Sequence, residues 1–246
     1  MLAIETKVLT KKYKSKTVVD GLNLTVEEGE LFALLGVNGA GKTTTIRMLT
    51  CLAKPSSGEC SVCGHNCVSD SAAVKKLVGI SPQDTAVAEN LTVRENLELM
   101  CGIYGFSREK AQSRINEMIE LFNMQDVENS RAKTLSGGWK RKLSIAMALI
   151  SEPKLLFLDE PTLGLDVIAR RELWKVIREL KSRITIILTT HYMEEAENLA
   201  DRIAVMISGH MAALGTLSEL EQQTGESGLE NVFVKITDNF GKGESK

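Results

Sequence analysis

The stretch Gly36-Val37-Asn38-Gly39-Ala40-Gly41-Lys42-Thr43 decides how the rest of the chain is read. It sets four residues between two glycines and follows them with a lysine and a hydroxyl, the pattern of a phosphate-binding loop. Glu30-Leu31-Phe32-Ala33-Leu34-Leu35 leads in as a buried strand, and Thr43-Thr44-Thr45-Ile46-Arg47-Met48-Leu49 leads out as a helix. Strand, loop and helix in that order are the setting the motif requires. Glycine lets backbone N–H groups curl round a phosphate chain without side-chain obstruction, and the helix start adds partial positive charge. The expected contacts are Gly36, Asn38, Gly39, Gly41, Lys42, Thr43 and Thr44. Lys42, expected as an exposed charge, would reach the β- and γ-phosphates, and the Thr43 hydroxyl would hold Mg²⁺. A nucleoside triphosphate is the ligand this pattern implies.

Working outward, 246 residues suffice for one large domain or two small ones, with a full core. Lys and Arg total 30 against 32 Asp and Glu, a net charge of −2, so no whole-chain electrostatic argument favours nucleic acid. No apolar stretch approaches the roughly 18 residues a membrane span needs, and residues 1–7 carry no signal-peptide pattern. A cytosolic location is the expectation. Cys60-x2-Cys63-x-His65-x-Cys67 sets four potential zinc ligands within eight residues. Successive side chains of one extended segment face opposite ways, and small buried thiols are common in reduced proteins. The cluster is therefore expected to be metal-free.

Residues 4–9 and 17–26 alternate as antiparallel strands. Further strands are expected at Glu59–Cys63, Val78–Ile80, Leu155–Leu158, Ile184–Thr189 and Ile203–Ile207. Helices are expected at Ala72–Leu77, from an Asn90 or Thr92 cap through Met100, and at 108–122, Trp139–Ile150, Ile168–Ser182 and Met193–Leu199. Strands alternating with helices argue for a mainly parallel sheet covered on both faces, while the strand-poor stretch from about residue 88 reads as an inserted helical subdomain. After a Gly/Ser break at 224–228, Leu229, Val232, Phe233 and Ile236 fall at helical spacing before a short tail.

Leu155-Leu156-Phe157-Leu158-Asp159-Glu160 is an apolar strand ending in two carboxylates. Ligands of parallel sheets gather at strand carboxyl ends, so Asp159 would meet the magnesium through water, and Glu160 could act as general base on an attacking water. Leu135-Ser136-Gly137-Gly138 precedes a long helix; Ser136 is a plausible cap, and the paired glycines expose N–H groups at a second anion-seeking helix start.

These residues together resemble the nucleotide-binding subunit of ATP-binding cassette (ABC) transporters, and the likeness covers nearly the whole chain. Leu135–Trp139 looks like that family's signature motif, with Ser136, Gly137 and Gly138 offered to a nucleotide. Gln83 fits its glutamine loop beside Mg²⁺, Asp166 the loop after the catalytic glutamate, His191 the switch histidine at the γ-phosphate, and Tyr13 the ring that stacks on adenine. Residues 190–197, 209–216 and 229–233 are similar to the ABC-2-type subfamily of drug, antibiotic and sodium exporters. Trp139 stands where the family commonly has glutamine, and Val167 where proline often follows the aspartate.

The implied fold is α/β, a P-loop NTPase with a RecA-like parallel-sheet core and antiparallel β part (1–87 and 151–223), a helical subdomain (88–150) and a C-terminal helix and tail (224–246). The implied function is ATP hydrolysis, with Mg²⁺, energising a membrane exporter. Its partners would be an integral membrane permease and a second copy, or a paralogous subunit, in an ATP-sandwich dimer. That would place the chain peripherally on the inner face of the membrane. A soluble ABC-type switch in DNA repair, translation or cofactor assembly is the alternative; such relatives usually carry two cassettes, coiled coils or basic insertions.

Overall fold

The computed structural model describes residues 1–181 and 183–243. In chain order the elements are β1 (Leu2–Tyr13), β2 (Lys16–Glu27), β3 (Leu31–Leu35), α1 (Lys42–Leu49), β4 (Ser57–Val62), β5 (His65–Asn66), α2 (Ser71–Leu77) and β6 (Val78–Ser81). Then follow α3 (Val93–Ile103), α4 (Arg108–Leu121), α5 (Gly137–Leu149), β7 (Leu155–Asp159), α6 (Val167–Lys181) and β8 (Thr185–Thr190). The last are α7 (Met193–Leu199), β9 (Arg202–Ile207), β10 (His210–Gly215), α8 (Leu217–Thr224) and α9 (Leu229–Gly243). By compactness they form two units, Met1–Lys75 with Thr185–Lys246, and Lys76–Ile184.

In the first unit β1 pairs antiparallel with β2 and with β4, giving a sheet ordered β2-β1-β4-β5. A second set runs β10-β9-β3-β8, in which β3 is parallel to both neighbours. All five β3 residues are buried, so the strand reads as an unbroken apolar run rather than an alternation. Ala33 and Leu35 pack with Ala196 of α7, Leu220 of α8 and Val232 and Phe233 of α9. The amphipathic spacing read at the C-terminus thus corresponds to a docked helix. Truncating Phe233 would cost about 3–5 kcal/mol.

In the second unit β6 and β7 run parallel, from Val78↔Leu155 to Ser81↔Leu158. Helix α5 packs on both strands, and α3, α4 and α6 pack against α5. Residues Arg141 to Leu149 of α5 are all buried, whereas α6 buries only a stripe of Leu173, Trp174, Val176, Ile177 and Leu180. Thr92, not Asn90, caps α3: its hydroxyl accepts from the Glu95 amide at 3.1 Å while Glu95 accepts from the Thr92 amide at 2.7 Å.

The sequence reading assigned no element to β10 or α8. The signal for α8 was present, since Thr216 and Glu219 form a reciprocal capping box and Gly225 ends the helix at φ 73°. The expected end of the Ile168–Ser182 helix and the tail beyond residue 243 lie outside the described residues. No helix among the described residues is long and apolar enough to cross a membrane.

Candidate functional site

The first unit carries the phosphate loop between β3 and α1. Two of its glycines are sterically required: a Cβ on Gly36 would meet the Met206 carbonyl oxygen at 2.5 Å, and one on Gly41 would meet that of Val18 at 2.7 Å. Gly41 also sits at φ 107°, where side chains are strained, and it starts α1 without a side-chain cap. This start is the backbone cradle that a chain of phosphates fits. Lys42 departs from the expected exposed charge. It is 5% exposed, and its Nζ donates to the carbonyls of Gly36 (2.6 Å) and Val37 (3.3 Å), arching across the loop it follows. Thr43 and Thr44 stand half-buried in the first turn of α1, while Asn38 and Gly39 are exposed at the loop's crest.

The same unit brings His191 to this loop. Gly36 donates its N–H to the carbonyl of Thr190 at 3.3 Å, so the residue after β8 lies alongside the start of the loop. The His191 ring packs on Tyr192 with centroids 4.1 Å apart. Tyr13 ends β1 with its side chain 43% exposed and the Lys11 ammonium 4.9 Å from its ring centroid. An exposed ring at a strand end can serve as a stacking platform.

The second unit holds Gln83, Ser136 to Gly138, Asp159, Glu160 and Asp166. Ser136 caps α5, its hydroxyl accepting from the Trp139 amide at 3.5 Å, and it is exposed together with Gly137. Trp139 lies under the Lys142 ammonium, 4.5 Å from the ring centroid, and Lys142 pairs with Glu172 at 3.0 Å. Asp159 ends β7 and Glu160 follows it; both are nearly buried. Glu160 has φ 49°, a left-handed backbone that a glutamate adopts only at a cost. Asp166 has a local duty as well: its Oδ1 accepts from the amides of Ile168 and Ala169, both at 2.9 Å, at the start of α6.

In the first unit Thr43 offers a hydroxyl, and in the second Asp159 offers a carboxylate and Gln83 an amide carbonyl, oxygen donors of the kind Mg²⁺ takes. The cysteines regroup differently from the sequence pattern. Cys63 and Gly64 form the tip of the β4–β5 hairpin at φ 48° and 79°, and His65 pairs with Asp70 at 2.6 Å. Cys60 and Cys67 face one another across the hairpin, their thiols hydrogen-bonded, and Cys51 joins them from beyond α1. Among the described residues no group of three or more His, Cys, Asp or Glu side chains is arranged to hold a metal ion.

Two arrangements escaped the sequence reading. Arg141, in α5, donates to the carbonyls of Pro82 and Gln83, both at 2.6 Å. Asn96, fully buried in α3, bonds Ala88 through both its amide atoms at 2.8 and 3.1 Å. Neither has a local sequence signal, because each joins segments distant along the chain or hidden in a loop.

The ABC transporter family model matches residues 19–163. The daunorubicin/doxorubicin resistance ATP-binding protein DrrA of Streptomyces peucetius is 43% identical over 92% of this chain and 69% of its own length. The human phospholipid-transporting ATPase ABCA3 is also 43% identical over 93% of this chain, which spans only 13% of that relative's length. Among solved structures, an ATP-binding subunit of an ABC transporter superposes with a TM-score of 0.85 at 31% identity, covering 96% of this chain and 99% of that one. A dimeric ATP-binding cassette in a post-hydrolysis state with ADP and phosphate superposes at 0.78 with 26% identity, covering 87% and 98%.

Proposed function

Since this chain belongs to the ABC transporter family, we propose that it is the ATP-hydrolysing subunit of a membrane exporter, working as an ATP-closed dimer bound to a permease. The observation that carries this reading is the pair of phosphate-seeking helix starts on two different compact units: the loop at 36–43, and the exposed Ser136–Gly137 start of α5. Only the first has a lysine arching over its own loop; Lys140, in the first turn of α5, is paired with Glu89 at 3.0 Å. A second chain related by a two-fold axis would use both kinds of start twice, each signature helix completing the other chain's nucleotide site.

In the hydrolytic step the loop amides and Lys42 hold the phosphates and neutralise developing charge. Glu160 takes a proton from the attacking water, and His191 steadies the γ-phosphate. Tyr13 stacks on the adenine. Thr43, Gln83 and Asp159 would hold Mg²⁺, which supplies charge neutralisation to the phosphates. Asp166 shapes the segment after Glu160. The helical stretch would dock the permease: Leu99 and Ile103, four apart on α3, are 45% and 67% exposed, and an apolar face of this kind suits a helix of a membrane subunit. Attachment of this kind places the chain on the inner face of the membrane. The similarity to DrrA, a drug-resistance protein, supports the export direction.

Glu160→Gln tests the reading. It keeps shape but removes the base, so binding survives, turnover nearly stops and the closed state accumulates. With saturating ATP the variant is expected to elute as a dimer in size-exclusion chromatography, and wild type with ADP as a monomer. A variant with normal turnover removes Glu160 from catalysis. Affinity capture from detergent-solubilised membranes that recovers no integral membrane protein would remove the permease and favour a soluble switch.

A further inference from the structure

The glutamine loop is gripped along one face of the signature helix. Arg141, Ser144 and Ala148 are spaced three and four apart on α5, which brings them to a single face. Arg141, 4% exposed, donates one guanidinium nitrogen to the Pro82 carbonyl and another to that of Gln83, each at 2.6 Å. One turn on, the buried hydroxyls of Ser144 and Ser81 are 3.0 Å apart. A further turn on, the strand runs so close that a Cβ on Gly79 would meet the Ala148 carbonyl oxygen at 2.3 Å. Residues 79 to 83 are thus zipped onto the helix whose first turn is capped by Ser136.

The arginine fork has a specific consequence. Successive carbonyls of an extended strand point to opposite sides, so two consecutive ones can meet one guanidinium only where the chain leaves the strand. Arg141 therefore fixes the backbone turn at Pro82 and Gln83, directly after β6. The loop's far end is held as well, by Asn96 on Ala88. The Gln83 side chain, by contrast, is exposed.

We propose that Arg141 is a positioning residue that joins Gln83 to the signature helix, so that a displacement of Gln83 and a displacement of Ser136 are one motion. This rests on the reading of Gln83 and Ser136 given above. The two bonds of the fork go to main-chain carbonyls, so in this role Arg141 acts through the placement of Gln83.

Arg141→Met keeps the length of the stem and its packing but loses the fork; Arg141→Lys keeps charge with a single donor head. In steady-state phosphate release by the full-length chain, Arg141→Met is expected to lower kcat about tenfold while the ATP KM changes less than threefold, with Arg141→Lys in between. If Arg141→Met fails to fold, as judged by its thermal transition, Arg141→Lys must show the loss on its own. Gln83→Ala and the double variant decide the route. When one residue acts through the other, the double variant is no slower than the slower single variant; independent effects multiply. Multiplied losses, or an Arg141→Met rate above half of wild type, overturn the proposal while leaving Gln83 in place. A Gln83→Ala variant with wild-type turnover refutes the reading of Gln83 itself and takes the proposal with it.

Discussion

The amide of Gly36 donates to the carbonyl of Thr190 at 3.3 Å, which continues past the strand ends the parallel ladder between Leu35 and Thr190. The backbone ladder therefore brings residue 191 alongside the start of the loop. His191→Ala should leave the scaffold intact and reduce kcat on the order of a hundredfold, as the loss of one charge-stabilising donor does. The ATP KM should stay within threefold. A rate series over ATP concentration separates the two, and an unchanged kcat would remove His191 from the reaction.

Lys42→Ala should abolish turnover. The structure also makes a stability change part of the prediction, because the alanine deprives the Gly36 carbonyl of a 2.6 Å donor inside the loop. Leaving such an acceptor unpaired costs about 1–3 kcal/mol, partly offset by no longer burying an ammonium group. Thermal unfolding should shift by a few degrees only. Phosphate release near the wild-type rate would mean that residues 36–43 are not the nucleotide loop.

Tyr13 presents a ring that is 43% exposed, with Lys11 over one face. If adenine takes the other face, the hydroxyl is dispensable. Tyr13→Phe should change the ATP KM less than twofold. Tyr13→Ala should raise it about tenfold, matching a stacking contribution of roughly 1–3 kcal/mol. Equal, large effects from the two variants would show that the hydroxyl, not the ring, makes the contact.

The cysteines should bind no zinc. Elemental analysis of protein purified without added metal should find far less than one zinc per chain; stoichiometric zinc lost on Cys63→Ser would refute this. Thiol labelling gives a finer check. Cys63, half-buried at a hairpin tip, should react ahead of Cys51, whose thiol burial pushes up, so that less of it is thiolate at neutral pH. Cys60 has its pKa lowered by the hydrogen bond from Cys67, yet both are buried and should label slowly.

The parts legible in the sequence were those written in local order. The phosphate loop, the Ser136 cap and the apolar run ending at Asp159 each depend on residues within a few positions, so spacing alone announced them. The parts missed depend on distance along the chain. Arg141 meets Gln83 across 58 residues, and no periodicity encodes a side chain reaching for a carbonyl. Cys51 joins Cys60 and Cys67 only because α1 ends over the hairpin, whereas the sequence grouped Cys63 and His65, which the tight turn carries away from them. Lys42 was read as exposed because lysines usually are; its burial follows from a loop that curls back over its own lysine.

The left-handed backbone at Glu160 sets the demands of turn and chemistry against each other. The turn alone would be served best by glycine, or by asparagine, which tolerates that region. Both would discard the long carboxylate, and an aspartate would keep the charge but withdraw it by one methylene. With Glu160 as the proposed general base, any drift at this position that eases the chain also disarms it. On that proposal, a designer seeking extra stability from relaxed backbone geometry should leave residue 160 alone, since here a more thermostable variant and a working one would be different proteins.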